Sequence, residues 1–195
     1  MRLLAPAALA VLLLAAAASL SGCGDGACKV RGDAAVPVGG AFELTDQTGK
    51  AVTNETLKGK YRIVYFGFTY CPDICPTELQ NISAALDMLG KDADRFTPVF
   101  VTVDPARDTA PVMAQYLTSF HPSFVGLTGT AEQIEAAAKA YRIFYSREVQ
   151  GPGPDDYTMN HSSLIYLMDC EGRYIRHLDS GISPADIAKA LGELL

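Results

Sequence analysis

Basic runs are missing from this chain. Its 16 Lys and Arg stand scattered against 22 Asp and Glu, for a formal net charge of -6. Without a basic patch to neutralise phosphates, nucleic acid is excluded as a partner. There is no Cys-x-x-Cys-His run, which excludes haem attachment at such a motif. Only 5 cysteines occur, too few in register for an iron–sulfur cluster. Histidine is scarce too, with 3 residues, so imidazole chemistry rests on His121, His161 or His177. No internal repeat is visible, and low complexity is confined to an Ala/Leu-rich leader. What is abundant is apolar: 49% of the 195 residues are hydrophobic, enough for a core in one domain.

The N-terminus reads as an export signal. Arg2 precedes an apolar run from Leu3 to Leu20, interrupted only by Pro6 and Ser19. Leu20-Ser21-Gly22-Cys23 follows and resembles the bacterial lipobox, a signal cut before a cysteine that carries lipid. Residues 1–22 are expected to be removed as a lipoprotein signal peptide and Cys23 to be lipidated. Losing Arg2 takes the mature charge from -6 to about -7. The alternative is an uncleaved anchor, since the run is nearly long enough to span a bilayer. Either way the domain lies outside the cytoplasm and tethered to a membrane, on the periplasmic face in a Gram-negative bacterium. That compartment permits disulfides. Cys28, in an expected tether over residues 23–37, and Cys170, in an expected turn, are read as incidental thiols in preference to a bridge.

Residues 24 to about 40 show no periodicity and read as a linker of limited order. Two short strands, Phe42 to Asp46 and Ala51 to Thr53, flank a turn at Gln47-Thr48-Gly49-Lys50. Arg62 to Phe68 is a continuous apolar run, the pattern of a strand buried on both faces. A helix opens at Cys75-Pro76-Thr77-Glu78, with Pro in its first position. Phe96 to Val103 is a second buried strand. Ala110 to Phe120 is a helix, Phe124 to Leu127 a short strand, and Ala131 to Tyr141 a helix starting near Thr130. Arg142 to Arg147 is a further strand. Glu148 to Asn160, rich in Gly, Pro and Asp, reads as a long flexible loop. A hairpin over residues 163–178 and a helix from Ser183-Pro184 complete the chain. The alternation predicts an α/β sandwich with a mixed sheet, its site beyond the carboxyl ends of the parallel strands.

Chemistry concentrates at Cys71 and Cys75, in Phe66-Gly67-Phe68-Thr69-Tyr70-Cys71-Pro72-Asp73-Ile74-Cys75-Pro76. Placed at a strand-to-helix junction, with Cys75 at the helix N-cap, the thiols meet unpaired backbone N–H groups and the positive end of the helix dipole. Both favour thiolate. The pair can close a disulfide or bind a soft metal. His161, in Tyr157-Thr158-Met159-Asn160-His161-Ser162-Ser163, is the best third ligand. Two thiolates and an imidazole suit Cu(I) or Cu(II), whereas zinc would want a fourth ligand. His121 and His177 read as ordinary surface or core residues. Asp104 follows a buried strand and either lies near the metal or caps the strand end. Asp73 reads as solvated, with a charge suited to docking a basic partner patch.

The cysteine segment, Val103-Asp104-Pro105-Ala106-Arg107-Asp108-Thr109 and His161-Ser162 together resemble the Sco/SenC family over roughly residues 38–195. The resemblance implies a thioredoxin-like domain, copper as the bound metal, and Cys71, Cys75 and His161 as its ligands. It further implies a role in assembling the copper-A centre of cytochrome c oxidase, with the copper-A-bearing subunit as partner. A second periplasmic copper chaperone or a thiol reductase would be further partners. Two alternatives use the same cysteines: a thiol–disulfide oxidoreductase keeping recipient cysteines reduced, or a redox sensor. The chain departs from the family pattern in two places. Asn160 replaces an Asp before the histidine, and Asp169-Cys170 replaces Asp-Pro.

Overall fold

A computed structural model describes residues 28–195. The expected leader, the lipidation site Cys23 and the first part of the tether lie outside the described residues. Among the described residues no helix is long and apolar enough to cross a membrane.

Among the described residues nine strands and four α-helices follow in the order β1 (Glu43–Asp46), β2 (Ala51–Thr53), β3 (Tyr61–Gly67), α1 (Ile74–Leu89), β4 (Phe96–Thr102), α2 (Ala110–Leu117), β5 (Val125–Thr128), α3 (Ala131–Ala140), β6 (Tyr145–Val149), β7 (Tyr157–His161), β8 (Leu164–Met168), β9 (Tyr174–Asp179) and α4 (Pro184–Gly192), with a 3-10 turn over Gly90–Arg95 between α1 and β4. Seven strands form one sheet in the order β2-β1-β5-β4-β3-β8-β9. β4 runs parallel to β3 and to β5, while the remaining pairs are antiparallel. The mixed α/β sandwich is therefore as expected.

β3 is central, and all seven of its residues are buried. Its alternation divides the core. Tyr65 stacks on Phe100, which meets Tyr116 of α2, on the face that also carries α1. Val64 and Phe66 face the other way, toward Ala137 and Tyr141 at α3. Each such side chain contributes about 1.5–3 kcal/mol by burial. The helix starts obey local rules. Thr130 and Gln133 close a reciprocal capping box on α3, and Ser183 accepts from Asp186 N ahead of Pro184.

Two expectations are corrected here. Cys28 and Cys170 are joined in a disulfide with Cα atoms 5.7 Å apart. Nor is the chain before β1 a loose linker from Cys28 onward. Val30 N donates to Tyr61 Oη (2.9 Å), Gly32 N to Asp169 Oδ2 (2.8 Å) and Asp33 N to Tyr174 O (2.8 Å). A Cβ on Gly32 would lie 2.5 Å from Arg173 O, so only glycine fits against β9 there. The composition of this segment is linker-like. Its order comes from a covalent bond to a residue 142 positions away in sequence and from the edge of β9.

The third correction concerns residues 148–160. They are not a long loop. β6 and β7 pair antiparallel over Tyr145↔His161 to Val149↔Tyr157, a two-stranded sheet separate from the main one. Only residues 150–156 remain as its connection.

Candidate metal centre

β3 delivers the chain to the sheet's carboxyl edge, and the segment 68–73 turns it into α1. The helix begins at Ile74, with Asp73 at the N-cap making no side-chain capping bond. Cys75 is thus the second helical residue rather than the cap. Its sulfur sinks completely into the core, against β3. A Cβ on Gly67 would stand 2.8 Å from Cys75 Sγ and 2.9 Å from Phe100. The glycine at the end of β3 therefore makes the space in which the sulfur sits. Cys71 remains half-exposed on the turn, with its N–H held by Phe68 O at 3.3 Å. Asp73 is exposed, as expected.

The two thiols are not equivalent. Cys75 N–H points at Cys71 Sγ (3.4 Å). The hydrogen bond from the Cys75 thiol, helped by the backbone N–H groups of Cys75 and Asp73 and by the His161 ring, pulls the Cys71 pKa down to about 5. Cys75 moves the other way, because it holds the proton shared with Cys71 and is buried as well. The resting pair is a Cys71 thiolate hydrogen-bonded by a Cys75 thiol. Tyr65 Oη lies 3.9 Å from Cys75 Sγ and is held firmly protonated by burial and the adjacent sulfur.

His161 is the last residue of β7, not part of a flexible loop. Its Nε2 lies 3.5 Å from Cys75 Sγ, and its Nδ1 donates to Ser162 O at 3.0 Å. That contact turns Nδ1 to the backbone and aims Nε2 at sulfur, the orientation a metal-binding imidazole requires. Phe68 and Tyr65 present edge-on contacts to the ring, with centroids at 5.8 and 6.4 Å. The three groups form a chain, with Cys75 between Cys71 and His161. Among the described residues no three Cys, His, Asp or Glu side chains converge on a single point. A metal entering here would gather Cys71 inward from its turn.

The segment between β4 and α2 braces both halves of the site. Asp108 is fully buried, and its carboxylate accepts from Thr69 N (3.0 Å), Thr69 Oγ1 (2.5 Å) and Thr102 Oγ1 (2.6 Å). Burial raises its pKa against the pull of these three donors. It fixes the turn two residues before Cys71. Asp104 is buried too, but its oxygens are taken by Tyr157 Oη–H (2.9 Å) and by Arg107 Nε–H. Both of its oxygens are thus engaged by neighbouring side chains. Beside Cys71 an open cleft of about 820 Å³ runs between Tyr70 and Pro72 on one wall and Gln150, Asp155 and Asp156 on the other. Through it a partner can reach the half-exposed sulfur.

The family profile described as SCO1/SenC matches residues 31–195. The chain belongs to the SCO1/SenC family. A SCO2-like protein of Rickettsia felis is 44% identical over 157 residues, covering 80% of this chain and 76% of the relative. The structure of Bradyrhizobium japonicum ScoI with copper bound is similar at a TM-score of 0.73 and 45% identity, covering 81% of this chain and 99% of that one. Yeast Sco1 with copper bound gives a TM-score of 0.74 and 40% identity, over 80% of this chain and 87% of that one. The thioredoxin-like fold expected from the resemblance stands with these neighbours.

Within this SCO1/SenC domain, alternation along β7 settles the place of Asn160. Tyr157, Met159 and His161 share the face turned to the domain, and Thr158 and Asn160 share the other. Asn160 is exposed and donates to Glu148 Oε1 at 3.2 Å. The departure from the family's aspartate therefore lies away from the sulfurs. The second departure, Cys170, is the disulfide partner of Cys28, in a turn that Asp169 organises by accepting from Glu171 N and Arg173 N. His121 and His177 lie elsewhere, beside Ser123 and Tyr174 respectively. Gly67, Tyr65, Arg107 and Tyr157 were not singled out from sequence. Gly67 and Arg107 had a visible signal, since each lies in a segment that carries the family resemblance.

Proposed function

We propose that this chain is a membrane-tethered copper metallochaperone. It binds one copper through Cys71, Cys75 and His161 and assists assembly of the copper-A centre in cytochrome c oxidase. The observation that carries this reading is the contact of His161 Nε2 with Cys75 Sγ, with Nδ1 occupied by a carbonyl and Cys71 poised as thiolate. Two thiolates and a neutral imidazole form a soft donor set matched to Cu(I) and adequate for Cu(II). Further support comes from the copper-bound relatives in the same family. The oxidase role comes from the family resemblance. The tether is proposed to be lipid on Cys23 at the periplasmic face, which mass spectrometry of the membrane-extracted N-terminus would test.

A second reading is favoured by the unequal thiols. An accessible thiolate beside a buried, protonated partner is the arrangement of a thiol–disulfide reductase. Oxidation of the pair to a disulfide removes both thiolate ligands, so copper binding and disulfide formation exclude each other.

The test is anaerobic copper loading of the reduced protein, paired with complementation of a null strain at low copper. For the chaperone, Cys71→Ser and Cys75→Ser abolish tight binding. His161→Ala weakens Cu(II) more than Cu(I) and lowers copper-A content although the dithiol is intact. Full rescue of oxidase activity by His161→Ala would instead establish the reductase.

A further inference from the structure

The buried cysteine and the histidine are carried by different layers of the fold. Cys75 is fixed against β3 in the seven-stranded sheet, while His161 ends a strand of the separate β6–β7 hairpin. Two-stranded hairpins are marginal on their own. Something must hold this one at a set distance from the sulfur.

Next to His161, Ser162 N to Phe144 O (2.9 Å) and Phe144 N to Ser162 Oγ (3.2 Å) only continue the pairing of the two strands and do not anchor them to the main sheet. At the far end of β7, Tyr157 enters a buried polar cluster. Its hydroxyl donates to Asp104 Oδ1 at 2.9 Å, and its carbonyl accepts from Arg107 Nη1 at 3.0 Å. Arg107 Nε closes the ring of contacts on Asp104 Oδ2. The Arg107 guanidinium carbon also lies 3.7 Å from the Tyr157 ring centroid, 4.7 Å from that of Tyr70 and 5.9 Å from that of Phe68. One side chain thus touches the hairpin, the residue before Cys71 and an aromatic edge against His161.

We propose that Asp104, Arg107 and Tyr157 form a clamp that positions His161, gripping the far end of β7 so that the strand presents the imidazole to Cys75. The geometry transmits the grip because Tyr157, Met159 and His161 lie on one face of one strand, about 13 Å from first to last. Met159, between them, packs on the core. Asp104 and Arg107 touch neither sulfur nor the histidine ring by hydrogen bond, so their effect runs through β7. They are positioning residues rather than ligands. The inference rests on the reading of His161 as a copper ligand, and part of its test needs no copper.

Arg107→Lys keeps a cation beside Asp104 but loses the planar fork that reaches both Asp104 and the Tyr157 carbonyl, and the stack as well. Tyr157→Phe keeps the ring and loses only the hydroxyl, so it stands in should the first variant fold poorly. Hydrogen exchange is followed in the full chain, reduced and metal-free, and Cu(II) and Cu(I) affinities are measured separately. Amides of Tyr157–His161 should exchange about tenfold faster in Arg107→Lys and by a smaller factor in Tyr157→Phe, with β3 and β4 unchanged. Cu(II) affinity should fall about tenfold and Cu(I) affinity by less than about threefold, since Cu(I) is satisfied by two sulfurs.

Unchanged exchange in β7 in both variants would overturn the clamp. So would equal acceleration in β3 and β4, which marks general destabilisation. A loosened hairpin without the Cu(II)/Cu(I) difference would overturn the positioning role. If His161→Ala leaves Cu(II) affinity untouched in the otherwise native chain, the ligand reading fails instead, and exchange alone then decides the clamp.

Discussion

The seven-stranded sheet and the β6–β7 hairpin hold the same site in opposite ways. In the sheet, β3 and β4 are almost wholly buried, and their neighbours register over many residues. In the hairpin, Arg147, Glu148 and Val149 are exposed, and only alternate residues of β7 face the domain. The sheet holds Cys75 by packing around Gly67, whereas the hairpin that carries His161 is held by the polar contacts of Tyr157 and by Met159 against the core. Local stability follows the number of buried apolar contacts. Of the three proposed ligands, Cys75 is therefore set by the core, Cys71 sits on the turn before α1, and His161 sits on an arm outside the main sheet. For the copper handover proposed above, that asymmetry would let one ligand leave before the others.

The sharpest way to break this comparison is to remove one apolar side chain from each region. Phe100→Ala leaves a cavity between Tyr65 and Tyr116 and should cost about 3–5 kcal/mol. Val149→Ala, on the hairpin's exposed edge, should cost less than about 0.5 kcal/mol. Urea unfolding of both variants measures the difference, and similar losses would show that the hairpin is part of the core after all.

Next in size is the disulfide that staples the N-terminal segment to the β8–β9 turn. Cys28→Ser or Cys170→Ser frees a loop of 142 residues and should cost about 2–5 kcal/mol. Thermal melts give the loss. Copper stoichiometry should stay at the wild-type value, because the bridge lies away from the site.

The smallest effect concerns the two sulfurs themselves. Alkylation needs the thiolate. In the reduced, metal-free protein Cys71 should react at a rate that stays flat down to its pKa of about 5 and then drops about tenfold per pH unit. Buried Cys75 should react slowly throughout. The sign for stability follows the same shift. Above the ordinary thiol value the raised Cys75 pKa costs stability, and below it the depressed Cys71 pKa contributes stability. That contribution is lost as pH falls toward 5. Peptide mapping after timed alkylation checks the rates, and equal reactivity at Cys71 and Cys75 would remove the distinction between edge and core.

Much of this was legible before any coordinates. Apolar runs gave away β3 and β4, since strands covered on both faces have nothing polar to show. Helical spacing of Leu79, Ile82 and Leu86 gave α1. The cysteine pair and His161 were legible from chemistry and from the family resemblance. The hairpin was not. Ser146-Arg147-Glu148 and Thr158-Met159-Asn160 carry little strand signal, and the intervening Gly and Pro speak for a loop. These residues are strands because they find each other.

By itself, the sequence determined the fold class, the family, and the three residue types that meet at the site. Those follow from local periodicity and side-chain chemistry, which neighbours along the chain express. Tertiary structure alone decided that Cys28 bridges Cys170, that Asn160 faces away from the sulfurs, and that Asp108 secures the cysteine turn while Asp104 secures the hairpin. Each of these is a pairing with a residue distant in sequence. Which buried donor meets which acceptor is settled only when the packed layers bring them within about 3 Å.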